Sequence, residues 1–158
     1  LKTAVLVAAS LKLGAIIADA PEKDQDLLYE FGRCLGIAFQ IQDDVLDTYG
    51  DTKMFGKKTG SDIVANKKTY LLVKALEMAG GSKLTRLRKL LAPGNHDPEE
   101  KIKDVRAIYD ELEVRLQAEN LAYDYFNRAF QALDQVTVNA ERKNEIKQHA
   151  VNLIGRVK

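Results

Sequence analysis

The spacing of apolar positions predicts helices along the whole chain. Residues 1–18 hold Ala4, Val5, Leu6, Val7, Leu11, Leu13, Ile16 and Ile17, with the small residues Ala8, Ala9, Gly14, Ala15 and Ala18 among them. A helix apolar on nearly every side is expected to be buried, and small side chains allow a neighbouring helix to come close. Pro21 disfavours helix in the residue before it, so the first helix ends at Asp19-Ala20-Pro21, and Asp24 is placed to cap the next. That second, central helix runs from about Gln25 to Tyr49 and stops at Gly50. Asn66 to Tyr70 opens another that continues to about Ala79, burying Leu71, Leu72, Ala75 and Leu76. Gly80-Gly81 ends it, and Ser82 can cap a short helix whose apolar stripe is Leu84, Leu87, Leu90 and Leu91, closed by Pro93-Gly94. Asp97-Pro98-Glu99-Glu100 is a strong start signal, with a cap, a proline at the first position and a glutamate at the capping-box position. Ile102, Val105, Ile108, Tyr109 and Leu112 carry that helix to a break near Glu113–Gln117. Leu121, Ala122, Tyr125, Phe126, Ala129, Phe130 and Leu133 then repeat the spacing as an ordinary core stripe, and after the Asp134–Ala140 turn a last helix, Glu141 to Arg156, is buried through Ile146, Ala150, Leu153 and Ile154. No strand candidate, repeat or linker interrupts the series, so the sequence predicts an all-α fold in a single domain over residues 1–158.

One polar pattern breaks the apolar run of the central helix. Gln40, Asp43, Asp44 and Asp47 fall at i, i+3, i+4 and i+7, and Arg33 and Gly36 continue the same stripe backward. Leu35, Ile37, Ala38, Phe39, Ile41, Val45 and Leu46 cover the rest of the cylinder, so the stripe is expected to face an internal, wet cavity. Like charges at i,i+3 and i,i+4 repel by roughly 0.2–0.5 kcal/mol per pair even in water. Cations relieve that repulsion, and carboxylates completed by water and phosphate oxygens are the ligands Mg²⁺ prefers. A solvated acidic helix face is the other reading of the same residues.

The segment after Gly50 strengthens the first reading. Asp51 to Asp62 is rich in glycine and lysine, which suits an anion approached by backbone amides and a mobile ammonium. It is not a Walker loop, because the glycines are one residue too far apart, Lys58 stands where Ser or Thr is needed, and a helix precedes it. Lys67 lies at the mouth of the next helix, the wrong end for the helix dipole, which an anion shared by the lysine and the helix start would explain. The overall balance of 24 basic and 23 acidic residues excludes a whole-surface nucleic-acid or membrane field, and the lysine-rich patch lacks interleaved aromatics. The lone Cys34 excludes a disulfide framework and fits a reducing compartment such as the cytoplasm, and it reads as a small buried hydrophobe; His96 and His149 have no metal-ligand spacing. Residues 1–18 superficially resemble a secretory signal, but Ser10 and Lys12 interrupt the apolar run, which is too short for a stable membrane span.

Taken in order, Phe39-Gln40-x-x-Asp43-Asp44-x-x-Asp47, Gly56-Lys57, Gly60-x-Asp62 and Lys67-x-Thr69 resemble the C-terminal half of a trans-isoprenyl diphosphate synthase, a polyprenyl synthetase of the farnesyl or geranylgeranyl type. Lys2-Thr3 ahead of an apolar helix with Gly14-Ala15 resembles the preceding helix of that family. The resemblance implies an antiparallel helical bundle of the isoprenoid synthase type, here its C-terminal helices only. It also implies a Mg²⁺-dependent (or Mn²⁺-dependent) head-to-tail condensation of isopentenyl diphosphate with an allylic diphosphate, in a cytoplasmic homodimer. Carried onto this sequence, Asp43, Asp44, Asp47 and Asp62 match the metal site. Lys2, Lys57 and Lys67 match the lysines that hold the allylic diphosphate, Thr3 and Gln40 match polar residues beside the ionising bond, and Phe39 matches an aromatic lining the hydrocarbon. The first aspartate-rich motif of the family would precede Leu1, so the chain alone is expected to be inactive. Leu71 stands where many members have proline. A non-catalytic partner subunit of a prenyl synthase remains the alternative. A terpene cyclase or squalene-type synthase is disfavoured by Gly56-Lys57 and Lys67-x-Thr69, and a membrane-associated helical module acting through residues 1–18 is the remaining rival.

Overall fold

The computed structural model describes residues 2–50, 59–94 and 97–155. Among them the chain forms α1 (Lys2–Ile17), α2 (Glu22–Tyr49), α3 (Ser61–Val64), α4 (Tyr70–Met78), α5 (Gly81–Leu91), α6 (Pro98–Glu111), α7 (Val114–Gln135) and α8 (Ala140–Gly155), with no strand, as the all-α expectation requires. No described helix is long and apolar enough to cross a membrane. The residues group into two compact units, one of residues 1–42 with 120–158 and one of residues 43–119.

In the first unit, α1 departs from its expected burial on nearly all sides. Ala4, Ala8 and Ala15 are buried, whereas Val5, Leu6, Leu13, Ile16 and Ile17 are exposed. Side-chain size explains the choice of face. A Cβ built on Gly36 would lie 2.6 Å from Ala4 Cα, and one on Gly32 would lie 2.8 Å from Ala8 Cα, so α1 and α2 approach backbone to backbone. Uniform hydrophobicity could not identify that face. The end of α1 is a Schellman turn: Ala20 N–H donates to Ala15 O, Asp19 N–H donates to Ile16 O, and Asp19 has φ 50.

Phe31, Cys34 and Leu35 of α2 pack with Ala129, Leu133 and Val136 and with Ala150 of α8. The stripe on α7 is core, as expected, with Phe130 edge-on to Phe31 at 6.3 Å and to Phe126 at 4.6 Å. The Cys34 thiol is free and buried, and that burial pushes its pKa up to about 11. Asp24 is not the cap of α2, which begins at Glu22. It is buried, accepting from Thr137 N–H and from the Thr137 hydroxyl, and so pins the segment between α7 and α8.

In the second unit, α6 packs on α3, α4 and α5. Asp97 caps α6 by accepting from Glu99 N–H and Glu100 N–H at 3.0 and 2.9 Å, and Pro98 follows it as expected. Thr69 caps α4 through Leu72 N–H. Ser82 does not cap α5; Gly80 holds that position without a side-chain bond. Of the α5 stripe only Leu87 is fully buried, while Leu84, Leu90 and Leu91 are partly so. The break expected near Glu113 is Glu113 itself, at φ 52, with its N–H donating to Asp110 O. Tyr49, the last residue of α2, donates to Asp110 Oδ1 at 2.9 Å while the Arg115 guanidinium lies over its ring. Leu1, His96 and the side chain of Ile154 lie outside the described residues.

Candidate functional site

The α2 stripe carries Gln40, Asp43, Asp44 and Asp47 on one helix, and their surroundings differ sharply. Asp43 is exposed, Asp44 is only 5% exposed, and Asp47 and Gln40 are half-buried. The expected uniformly internal stripe is therefore graded, because successive turns of α2 meet different neighbours. Phe39 is exposed.

Asp47 is held by the three residues that open α3. Gly60 N–H donates to its backbone carbonyl, Ser61 Oγ donates to Oδ1 at 2.6 Å, and Asp62 N–H donates to Oδ2 at 2.9 Å. Gly60 can do this because its φ of 87 suits glycine and because a Cβ there would strike Ile102 at 2.6 Å. The chain leaves α3 through a second Schellman turn. Asn66, at φ 50, donates its N–H to Ile63 O, and Lys67 donates its N–H to Asp62 O at 2.9 Å. That turn starts the Lys67 side chain beside Asp62. Lys67 Nζ donates to Asp62 Oδ2 at 2.7 Å and reaches Asp44 Oδ1 at 3.4 Å. The hydrogen bond to Asp62, with the Asp44 charge behind it, raises the Lys67 pKa against the effect of burial. The anions that sequence reasoning sought for Lys67 are thus two carboxylates of the chain itself.

Elsewhere, Thr3 Oγ1 lies 3.4 Å from Gln40 Oε1, and Lys2 is exposed at the start of α1. Gly56 and Lys57 lie outside the described residues. Two contributors were missed from sequence. Ser61, the middle residue of Gly60-x-Asp62, binds Asp47, and its hydroxyl between glycine and aspartate was the available signal. Buried Lys101 donates to Val64 O and Asn66 Oδ1, closing the C-terminal end of α3, and desolvation lowers its pKa. Only its distant partners reveal that role.

Among the described residues no three His, Cys, Asp or Glu side chains are gathered as a ready metal site. The donor set nonetheless fits a hard cation. Asp44 and Asp62 come from different elements and converge on one positive charge, and water or phosphate oxygens commonly complete such a shell around Mg²⁺.

The family model described as polyprenyl synthetase matches residues 1–112. The chain is 37% identical over 133 residues to the short chain isoprenyl diphosphate synthase of Methanothermobacter thermautotrophicus, covering 84% of this chain and 40% of that protein. A solved geranylgeranyl pyrophosphate synthase superposes with a TM-score of 0.88 at 35% identity, covering 98% of this chain and 48% of the other. The geranylgeranyl pyrophosphate synthase of Corynebacterium glutamicum, solved with isoprenyl diphosphate and magnesium, matches at a TM-score of 0.82 and 28% identity, covering 95% of this chain and 42% of the other. In each comparison the chain spans less than half the length of its relative.

Proposed function

The chain belongs to the polyprenyl synthetase family, and on that premise we propose that it forms the part of a prenyl diphosphate synthase that holds the second aspartate-rich site for a divalent cation and an allylic diphosphate. The observation that carries the reading is the convergence of Asp44 and Asp62 on one cationic group, beside an Asp47 held rigid by residues 60–62. The Corynebacterium glutamicum relative solved with isoprenyl diphosphate and magnesium supports the same chemistry.

In this reading Asp43, Asp44, Asp47 and Asp62 hold Mg²⁺ or Mn²⁺, directly or through water. A divalent ion held by these carboxylates would supply positive charge to the departing diphosphate, the kind of electrostatic stabilisation that dominates when a charged leaving group is expelled. Lys2, Lys57 and Lys67 hold the diphosphate oxygens. Thr3 and Gln40 turn their dipoles toward the carbon that becomes positive, and Phe39 meets the hydrocarbon. Isopentenyl diphosphate then attacks that carbon head-to-tail, loses a proton, and leaves a chain one isoprene longer. The 158 residues by themselves are expected to bind diphosphate with a cation but not to complete the condensation. A homodimer belongs to the same reading, supported by the exposed face of α1, and a cytoplasmic location is supported by the free Cys34.

The test is to express the complete reading frame that encodes this chain and to measure Mg²⁺-dependent transfer from isopentenyl diphosphate onto geranyl diphosphate. The Asp43→Ala/Asp47→Ala variant runs beside it. Longer prenyl diphosphates lost in the variant are expected; no incorporation with any allylic primer would overturn the synthase reading in favour of a non-catalytic subunit.

A further inference from the structure

Lys67 occupies the point where the two converging carboxylates would hold a divalent ion. Its Nζ is 2.7 Å from Asp62 Oδ2 and 3.4 Å from Asp44 Oδ1. Asp44 is only 5% exposed, and the Lys67 ammonium is one of the groups that bring positive charge to its carboxylate. The lysine is anchored by backbone but free at its tip. Its N–H is tied to Asp62 O, whereas 47% of its side chain remains exposed, so the ammonium can swing away without disturbing α3 or α4. Asp47 depends on Ser61 and Asp62 N–H and does not need the lysine.

From this geometry we infer that Lys67 is an internal counter-ion that a divalent cation must displace from Asp44 and Asp62, and that the displaced ammonium then passes to the diphosphate. The inference rests on the functional reading above and adds a rule of order to it. An ammonium and a divalent ion repel one another across shared carboxylates, so Lys67 opposes cation binding when no diphosphate is present. With diphosphate, the freed ammonium gains a new anionic partner, and the same side chain favours cation binding. Cation and diphosphate are thereby coupled through one lysine, and linkage makes the coupling equal in both directions.

The experiment is a titration of the purified chain with Mn²⁺, following the free ion by electron paramagnetic resonance, for wild type, Lys67→Met, Lys67→Arg and Asp44→Asn, with and without inorganic diphosphate. Circular dichroism establishes that each variant is folded. Without diphosphate, Lys67→Met is expected to bind Mn²⁺ roughly tenfold more tightly than wild type, about 1.4 kcal/mol, while Lys67→Arg, which keeps the charge, stays near wild type. With diphosphate, the gain in Mn²⁺ affinity is expected to be smaller in Lys67→Met than in wild type by a similar factor. Equal or weaker Mn²⁺ binding by Lys67→Met without diphosphate would overturn the displacement, and a loss of affinity on Asp44→Asn in that same experiment would show the metal site itself to stand. No Mn²⁺ binding by any form, with or without diphosphate, would overturn the functional reading and the displacement together.

Discussion

Replacing Gly36 by alanine places a methyl group in the seam between α1 and α2. The new Cβ would lie 2.6 Å from Ala4 Cα, 3.1 Å from Ala4 Cβ and 3.3 Å from Ala4 N. Favourable contact between carbon atoms begins at about 3.5 Å, so α1 must withdraw by roughly an ångström, and its partner is backbone that no rotamer change can move aside. Overpacking of this kind costs about 1–3 kcal/mol, set against a gain of about 0.8–1.0 kcal/mol in helix propensity when glycine becomes alanine. Gly14→Ala isolates that gain, because Gly14 lies within α1, is exposed, and has nothing within 4 Å of a built Cβ. The two variants make the same chemical change and are expected to move stability in different directions. Gly14→Ala should stabilise by about 0.5–1 kcal/mol, and Gly36→Ala should fall below it by about 1–3 kcal/mol. Urea unfolding followed by far-ultraviolet circular dichroism measures both, and each kcal/mol corresponds to about 2–4 °C in Tm for a chain of this size. The withdrawal should also break the long Thr3–Gln40 contact. A Gly36→Ala chain as stable as Gly14→Ala would refute the close approach of the two backbones.

Asp24→Ala removes the acceptor of Thr137 N–H and of the Thr137 hydroxyl, and should lower stability by about 1–3 kcal/mol; an unchanged urea midpoint would show the pin to be dispensable. The Arg33 guanidinium, bonded to Glu30 at 2.6 and 2.8 Å, holds the Glu30 carboxyl below its usual range. Because the folded pKa is the lower one, the contribution is present above the unfolded value and is lost as pH falls through the folded one. Wild type should therefore exceed Glu30→Gln in stability at neutral pH, and the two should converge in acid; a gap that stays constant with pH would count against the pair.

What the sequence made legible was local. The helix start at Asp97-Pro98, the stop at Gly50 and the end of α1 before Pro21 depend on a few neighbouring residues, and the structure has them close to where spacing put them. The polar stripe on α2 was legible for the same reason, since Gln40, Asp43, Asp44 and Asp47 share one helix. What escaped was set by partners far along the chain. Asp24 looked like a cap because capping is a local rule, yet its hydrogen bonds go to Thr137. α1 looked buried throughout because hydropathy records composition, whereas the packed face was chosen by the small side chains that fit against Gly32 and Gly36. Lys67 could be seen to need an anion, but not that Asp44 and Asp62 supply it, because only the turn after α3 brings the three together.

The bend at Glu113 bears on how much sturdier this chain could be made. It joins α6 to α7 with φ 52, a left-handed conformation that costs an ordinary L-residue roughly 1–2 kcal/mol and that glycine adopts freely. Selection asks for enough stability rather than the maximum, so natural chains keep such positions. An engineer would therefore begin at this exposed joint, not in the core around Tyr109 and Val114. Glycine at position 113 would relax the backbone while every packed side chain stayed where it is.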